Sequence, residues 1–234
     1  MLPMNYKYIF IICGPNSFSL RNSISLDPRC LYLFTETGGV DALTSYSSNC
    51  FSVLNCDPGD FVSFFPKAVN LRRLTVNSRI PRCLSGVTSD YVVRIRSDAS
   101  LFDESKGPLL DLASFLPKSN DASTNTVVLT RKGSRKSYLW RNSIPFCSDL
   151  FVMTEFCQYD YLFHSVLPAL LDIPFSSFLC SEELFGFALI FLRCKYKSRL
   201  SFLSLHPFIP RRFVPSLFRQ PRSFLAYLFY DRFH

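Results

Sequence analysis

The stretch MLPMNYKYIFIICGPN, residues 1–16, holds an apolar run from Tyr8 to Cys13 that ends at Gly14-Pro15. The run has six residues, whereas the apolar core of a secretory signal peptide has about 7–15 and is followed by a small-residue cleavage site. Its isoleucines and aromatic rings, closed by a glycine and a proline, are typical of a short strand. We therefore predict a short buried strand here and no signal peptide.

Strand-like runs separated by turn sequences continue to about residue 155. The runs are rich in β-branched and aromatic residues, and they occupy residues 31–35, 61–65, 91–95 and 126–130. Clusters of Gly, Pro, Asn, Asp and Ser lie between them, as is usual for loops. Residues 1–155 are therefore predicted to form a turn-rich region with short strands.

The sequence becomes apolar and then basic over residues 156–234. Ser181, followed by Glu182 and Glu183, is a typical start of a helix, because the positive end of the helix dipole favours acids in the first turn. The helix that they predict is apolar from residue 184 and ends among cations, as the dipole also prefers. The whole chain is thus predicted to be an irregular α+β protein with two regions, 1–155 and 156–234, or alternatively to be partly disordered.

The net charge of +8 is unevenly distributed. Residues 1–183 hold 17 basic and 17 acidic side chains, whereas residues 184–234 hold nine Lys and Arg against Asp231 alone. Such asymmetry indicates a segment that contacts an anionic surface. The candidate binding residues are Arg193, Lys195, Lys197, Arg199, Arg211, Arg212, Arg219 and Arg222.

The apolar run 184–192 raises the question of a membrane span. Nine helical residues cover about 14 Å, against about 30 Å of hydrocarbon, so this run cannot cross alone. Extending it back to residue 174 places Glu182 and Glu183 near the bilayer centre, where acids are costly. Three interpretations stay open: half of a helical hairpin with 161–179, an interfacial helix, or an apolar core with arginines at its rim.

The leading functional hypothesis is a non-enzymatic protein, associated with an anionic membrane through 161–192 and a basic aromatic tail. One alternative is a nucleic-acid or peptide-binding module. Residues 130–141 combine five cations with two aromatic rings, and Pro207, Pro210 and Arg212 resemble the proline-rich ligands of SH3 domains. Another alternative is an unselected reading frame, because Ser, Leu, Phe and Pro, which share pyrimidine-rich codons, dominate the composition.

No catalytic, cofactor or metal motif is recognisable in the sequence. Glycine-rich phosphate loops and the G-x-S-x-G nucleophile motif do not occur. Cys157, Asp160 and His164 are spaced for one helix face, but the outer two would lie about 10 Å apart, too far to share one metal ion. Cys50 and Cys56 are more widely spaced than the usual zinc pair. The nine cysteines are odd in number and form no C-x-x-C, so reduced thiols in an intracellular setting are expected.

Overall fold

A computed structural model describes residues 4–59, 66–84, 86–99, 111–112, 126–130, 150–173 and 181–203. The predicted strand at 61–65, most of the cation-rich segment 130–141 and the proline motif at Pro207 and Pro210 lie outside these residues. The described chain contains a mixed sheet and several helices, which confirms the α+β class.

The strands are β1 Met4–Cys13, β2 Cys30–Gly38, β3 Ala42–Ser47, β4 Cys50–Cys56, β5 Val87–Arg96, β6 Thr126–Thr130, β7 Phe151–Glu155 and β8 Arg199–Leu203. The α-helices are α1 Pro66–Asn77, α2 Phe156–Asp160, α3 Leu167–Leu171 and α4 Ser181–Tyr196. A π-helical turn, Tyr161–Val166, joins α2 to α3, and short 3₁₀ helices occupy Phe18–Ser23 and Arg82–Leu84.

The strands form one sheet in the order β3-β4-β2-β1-β5-β7-β6-β8. The four adjacent strands β4, β2, β1 and β5 run parallel to one another. Antiparallel strands flank them, since β3 pairs with β4 and β7 pairs with β5. Parallel strands are normally covered on both faces, so this arrangement predicts near-continuous apolar sequence in β1 and its neighbours.

Strand β1 lies at the centre of the parallel strands and is buried on both faces. All side chains from Ile9 to Cys13 are 0% exposed. Ile9 and Ile11 pack in the cluster formed with the helices, while Phe10 and Ile12 pack in a second cluster with residues of the other face. The short strand predicted for Tyr8 to Cys13 is therefore confirmed, and it extends back to Met4.

Three of the other predicted strand runs are also confirmed. Residues 31–35 lie within β2, 91–95 within β5, and 126–130 form β6. The predicted helix is α4, which begins at Ser181 and ends at Tyr196. Its buried face consists of Leu184, Phe185, Ala188, Leu189 and Leu192. Apolar residues at this spacing lie on one side of a helix, as expected for a helix that packs on one face.

Helices and strands share one hydrophobic cluster across residue 155. Leu162, Phe163 and Leu184 belong to the same cluster as Ile11 and Val92. The apolar side chains of the helical region therefore cover one face of the sheet.

Arg94 is a buried charged side chain under these helices. It lies on β5, is 0% exposed, and donates a hydrogen bond from Nε to Ser78 Oγ at 2.6 Å. Tyr159 in α2 donates from Oη to the backbone oxygen of Ser78 at 2.8 Å. The Arg94 guanidinium also lies 5.6 Å from the Phe163 ring centroid. Ser78, directly after α1, is thus the point at which β5 and α2 are joined by polar contacts.

Truncation of Ile11 tests how strongly the fold depends on β1. We expect Ile11→Ala to lower the free energy of unfolding by about 2–5 kcal/mol, because it leaves a cavity between sheet and helices. The measurement is urea denaturation monitored by circular dichroism. Leu43→Ala in β3, where the side chain is 41% exposed, is the control and should change stability by less than about 0.5 kcal/mol. Equal effects of the two substitutions would contradict this account of the core.

Candidate functional site

The carboxyl ends of the paired strands β1 and β5 lie at the same end of the sheet. In open parallel sheets, ligands bind outside the strand ends where consecutive connections diverge, and here β1 lies between β2 and β5. Ser97, directly after β5, is hydrogen-bonded to the end of β1 and the residues that follow it. Its N–H donates to Cys13 O at 2.9 Å and its Oγ donates to Pro15 O at 2.6 Å. A side chain at Gly14 would also approach Ser97 Oγ to 3.0 Å, and the φ of +118° favours glycine.

Glu36 fills the neighbouring part of this strand edge. Its Oε1 accepts a hydrogen bond from the Phe18 N–H at 2.9 Å and one from Ser17 Oγ at 3.4 Å. The chain's own carboxylate therefore takes the donors that an anionic ligand would use. Among the described residues, this edge is therefore occupied by contacts within the chain.

The basic residues that the sequence singled out lie partly at the end of α4. Arg193, Lys195 and Lys197 are exposed there, and Arg199 is the first residue of β8. The remaining four candidates, Arg211, Arg212, Arg219 and Arg222, lie outside the described residues.

Two tyrosines hold Lys195 in place. Its Nζ lies 3.7 Å from the Tyr161 ring centroid and 5.5 Å from that of Tyr196. The two rings meet edge to face, with centroids 5.8 Å apart and planes at 69°. Cations over aromatic faces are attracted by the ring quadrupole, so this contact orders the end of a long side chain. Tyr161 was not among the predicted site residues.

Apolar side chains lie beside these cations. Ile190 is 41% and Phe191 is 51% exposed, although both lie on a helix whose other face is fully buried. Phe191 lies one helical turn before Lys195, and such i, i+4 residues are neighbours on the helix surface. We call Ile190, Phe191, Arg193, Lys195, Lys197, Tyr161 and Tyr196 together the α4-end surface.

Tyr196 connects the α4-end surface to the neighbouring helical elements. Burial raises the pKa of the Tyr196 hydroxyl, with smaller contributions from Cys157, Tyr161 and Asp160. The Tyr196 hydroxyl donates to Cys157 O at 3.5 Å. These contacts link the end of α4 to α2 and the π-helical turn.

The cysteine and histidine candidates do not converge. Cys157 is exposed, whereas Asp160 Oδ1 lies 3.9 Å from His164 Nε2. Cys50 is buried and Cys56 is exposed, at opposite ends of β4. Within the part of the chain that the structure describes, no three His, Cys, Asp or Glu side chains are placed to hold a metal ion. The seven described cysteines are free thiols.

Comparisons with known proteins identify no family for this chain. No protein-family model matches the chain, and no curated protein matches it. In the described ranges, every helix is too short or too polar to cross a bilayer.

Lys197 provides a substitution that removes charge without loss of stability. It follows the last residue of α4 with φ of +55°, a left-handed conformation that glycine adopts most easily at a helix end. We expect Lys197→Gly to raise the free energy of unfolding by about 1 kcal/mol in thermal or urea denaturation. Lys197→Ala removes the same charge but retains a Cβ, and should give no such increase. A stabilisation shared by both variants would show that charge, and not backbone conformation, is responsible.

Proposed function

We propose that this protein has a non-enzymatic role in which the α4-end surface binds the headgroup layer of an anionic membrane. One observation carries the proposal: three exposed cations adjoin two large exposed apolar side chains at one helix end. Each Lys or Arg near an anionic membrane contributes about 1 kcal/mol. An exposed Phe beside them can enter the boundary between headgroups and acyl chains.

The membrane contact that we propose is peripheral. Leu162, Phe163 and Leu184 belong to the hydrophobic cluster that covers the sheet, so these apolar side chains of the 161–192 segment are already buried within the protein. Inserting these helices into a bilayer would expose the face of β1 that they cover. Contact through the α4-end surface leaves this packing intact, because the side chains of Ile190 and Phe191 are exposed and lie outside the buried face of α4.

The geometry favours a lipid surface over a nucleic acid. Proteins that bind single strands without sequence preference stack bases on open aromatic faces. Here Lys195 covers the face of Tyr161 at 3.7 Å, and Tyr196 meets Tyr161 by an edge. The cations adjoin aliphatic and phenyl groups at Ile190 and Phe191, which suit the acyl boundary better than a hydrated sugar–phosphate chain.

Vesicle co-sedimentation tests the proposal. The probe is large vesicles of phosphatidylcholine with 30 mol% phosphatidylserine, at about 0.15 M salt. We expect the triple variant Arg193→Gln, Lys195→Gln, Lys197→Gly to bind about 100-fold more weakly, which corresponds to three charges at about 1 kcal/mol each. Phe191→Gln should also weaken binding, and raised salt should weaken the wild type because it screens surface charge.

A charge-matched control separates local binding from net charge. Lys7→Gln, Arg21→Gln and Arg29→Gln together remove three cations that lie outside the α4-end surface. This control should retain vesicle binding. Equal loss in the two triple variants would contradict the proposal. If the α4-end triple variant instead lost binding to single-stranded RNA and kept vesicle binding, the nucleic-acid alternative would replace it.

A further inference from the structure

A second group of cations lies where the segment after α1 meets α2 and the π-helical turn. The hydrogen bond from Tyr159 Oη to Ser78 O, 2.8 Å long, fixes the start of this segment on α2. Ile80 and Leu84 pack against the hydrophobic cluster that contains the helices. Arg79 and Arg82 are carried by this anchored segment, so their position relative to the helical region is fixed by packing.

Arg79 and Arg82 differ from the two arginines of α1. Arg72 is paired with Asp172 at 3.6 Å and Arg73 with Asp57 at 3.1 Å. Among the described residues, Arg79 and Arg82 form no ion pair, and the buried Nε of Arg79 has no hydrogen-bond partner. No acidic residue occurs between positions 66 and 84. Two guanidinium charges that no carboxylate of the described residues neutralises favour an anionic ligand beside them.

His164 adds an imidazole to the helical region against which this segment packs. It lies on the π-helical turn, five residues after Tyr159, and its Nε2 is 3.9 Å from Asp160 Oδ1. Burial is the largest influence on the pKa of His164 and lowers it; Asp160 raises it, and the charges of Arg79 and Arg82 lower it further. Both guanidiniums are therefore close enough to act on the imidazole.

We propose that Arg79, Arg82 and His164 form a binding site for a phosphate group, either free or carried on a lipid headgroup. Guanidinium groups match the geometry of phosphate oxygens, and an imidazolium adds a further donor. The bound oxygens would accept hydrogen bonds from the guanidinium groups of both arginines, which form no ion pair within the described residues. Asp160 has two opposing effects on phosphate binding. Its carboxylate repels the phosphate directly, but it also favours the protonated imidazole of His164. This site uses none of the residues of the α4-end surface.

Phosphate binding is measured by NMR of the His164 ring. The chain has three histidines, so His164→Gln assigns the signal. Titration with inorganic phosphate at pH 6, against sodium chloride of equal ionic strength, should shift the His164 signals to saturation. Phosphate should also raise the pKa of His164, because a bound anion favours the imidazolium, and binding should weaken as the pH rises through that pKa.

Arginine variants decide between a specific site and general charge. Arg82→Gln, at an exposed position, should raise the dissociation constant for phosphate about 10-fold, and Arg79→Gln should do the same or more. Lys197→Gly is the control and should leave phosphate binding unchanged. Shifts that chloride reproduces, or that both arginine variants retain with unchanged affinity, would overturn the proposal.

The two sources of phosphate are distinguished with a soluble short-chain phosphatidate. If it binds at least 10-fold more tightly than inorganic phosphate, the site takes a lipid headgroup; equal affinity supports a free phosphate ester. Absence of binding by both probes would overturn the proposal. This test is separate from the test of the α4-end surface. Vesicle binding is measured with Arg82→Gln and phosphate binding with Lys197→Gly, so failure of one proposal can be distinguished from failure of the other.

Discussion

Burial of β1 on both faces is the constraint on which the rest of the structure depends. A strand whose side chains from Ile9 to Cys13 are all 0% exposed needs apolar cover on each side. Each face is worth several kcal/mol, since fully burying one large aliphatic or aromatic side chain contributes about 1.5–3 kcal/mol. On one face the cover comes from the helical region, through Leu162, Phe163 and Leu184 among others.

This requirement explains the unusual apolar content of the helical region. Residues 184–192 resemble half a membrane segment when they are considered alone. With the sheet present, Leu184, Phe185, Ala188, Leu189 and Leu192 form the buried face of α4. The charge of Arg94 fits the same arrangement, because Ser78 and the Phe163 ring meet its guanidinium within the core. The side chains that remain exposed on α4, chiefly Ile190 and Phe191 with the cations after them, are the ones available for binding.

Local patterns were sufficient to predict part of the fold. The run from Tyr8 to Cys13 and the acidic start of α4 each carry their own signal, since β-branched content and helix capping act over a few residues. The strand order could not be predicted, because the pairing of β1 with β5 joins Cys13 to Arg96 through a long intervening chain. Nor did the sequence YVVRI reveal that its arginine is buried.

The candidate sites, like the fold, could be predicted from the sequence only in part. The cations at the end of α4 follow directly from counting charge along the sequence. The contact between Lys195 and Tyr161 does not, because it joins α4 to a π-helical turn whose phase differs from that of an α-helix. Arg79 and His164 are likewise distant in sequence, and the hydrogen bond between Tyr159 and Ser78 holds their segments together. Signals of this kind arise from tertiary packing, which no single segment encodes.

Hydrogen–deuterium exchange of the chain with and without anionic vesicles tests the central claim most directly. Backbone amides of residues 6–13 and 184–189 should be among the slowest to exchange, and vesicles should leave them protected while they slow exchange only near residues 190–197. The account would be contradicted if vesicles accelerated exchange in residues 6–13, because α4 would then have left the sheet to enter the bilayer.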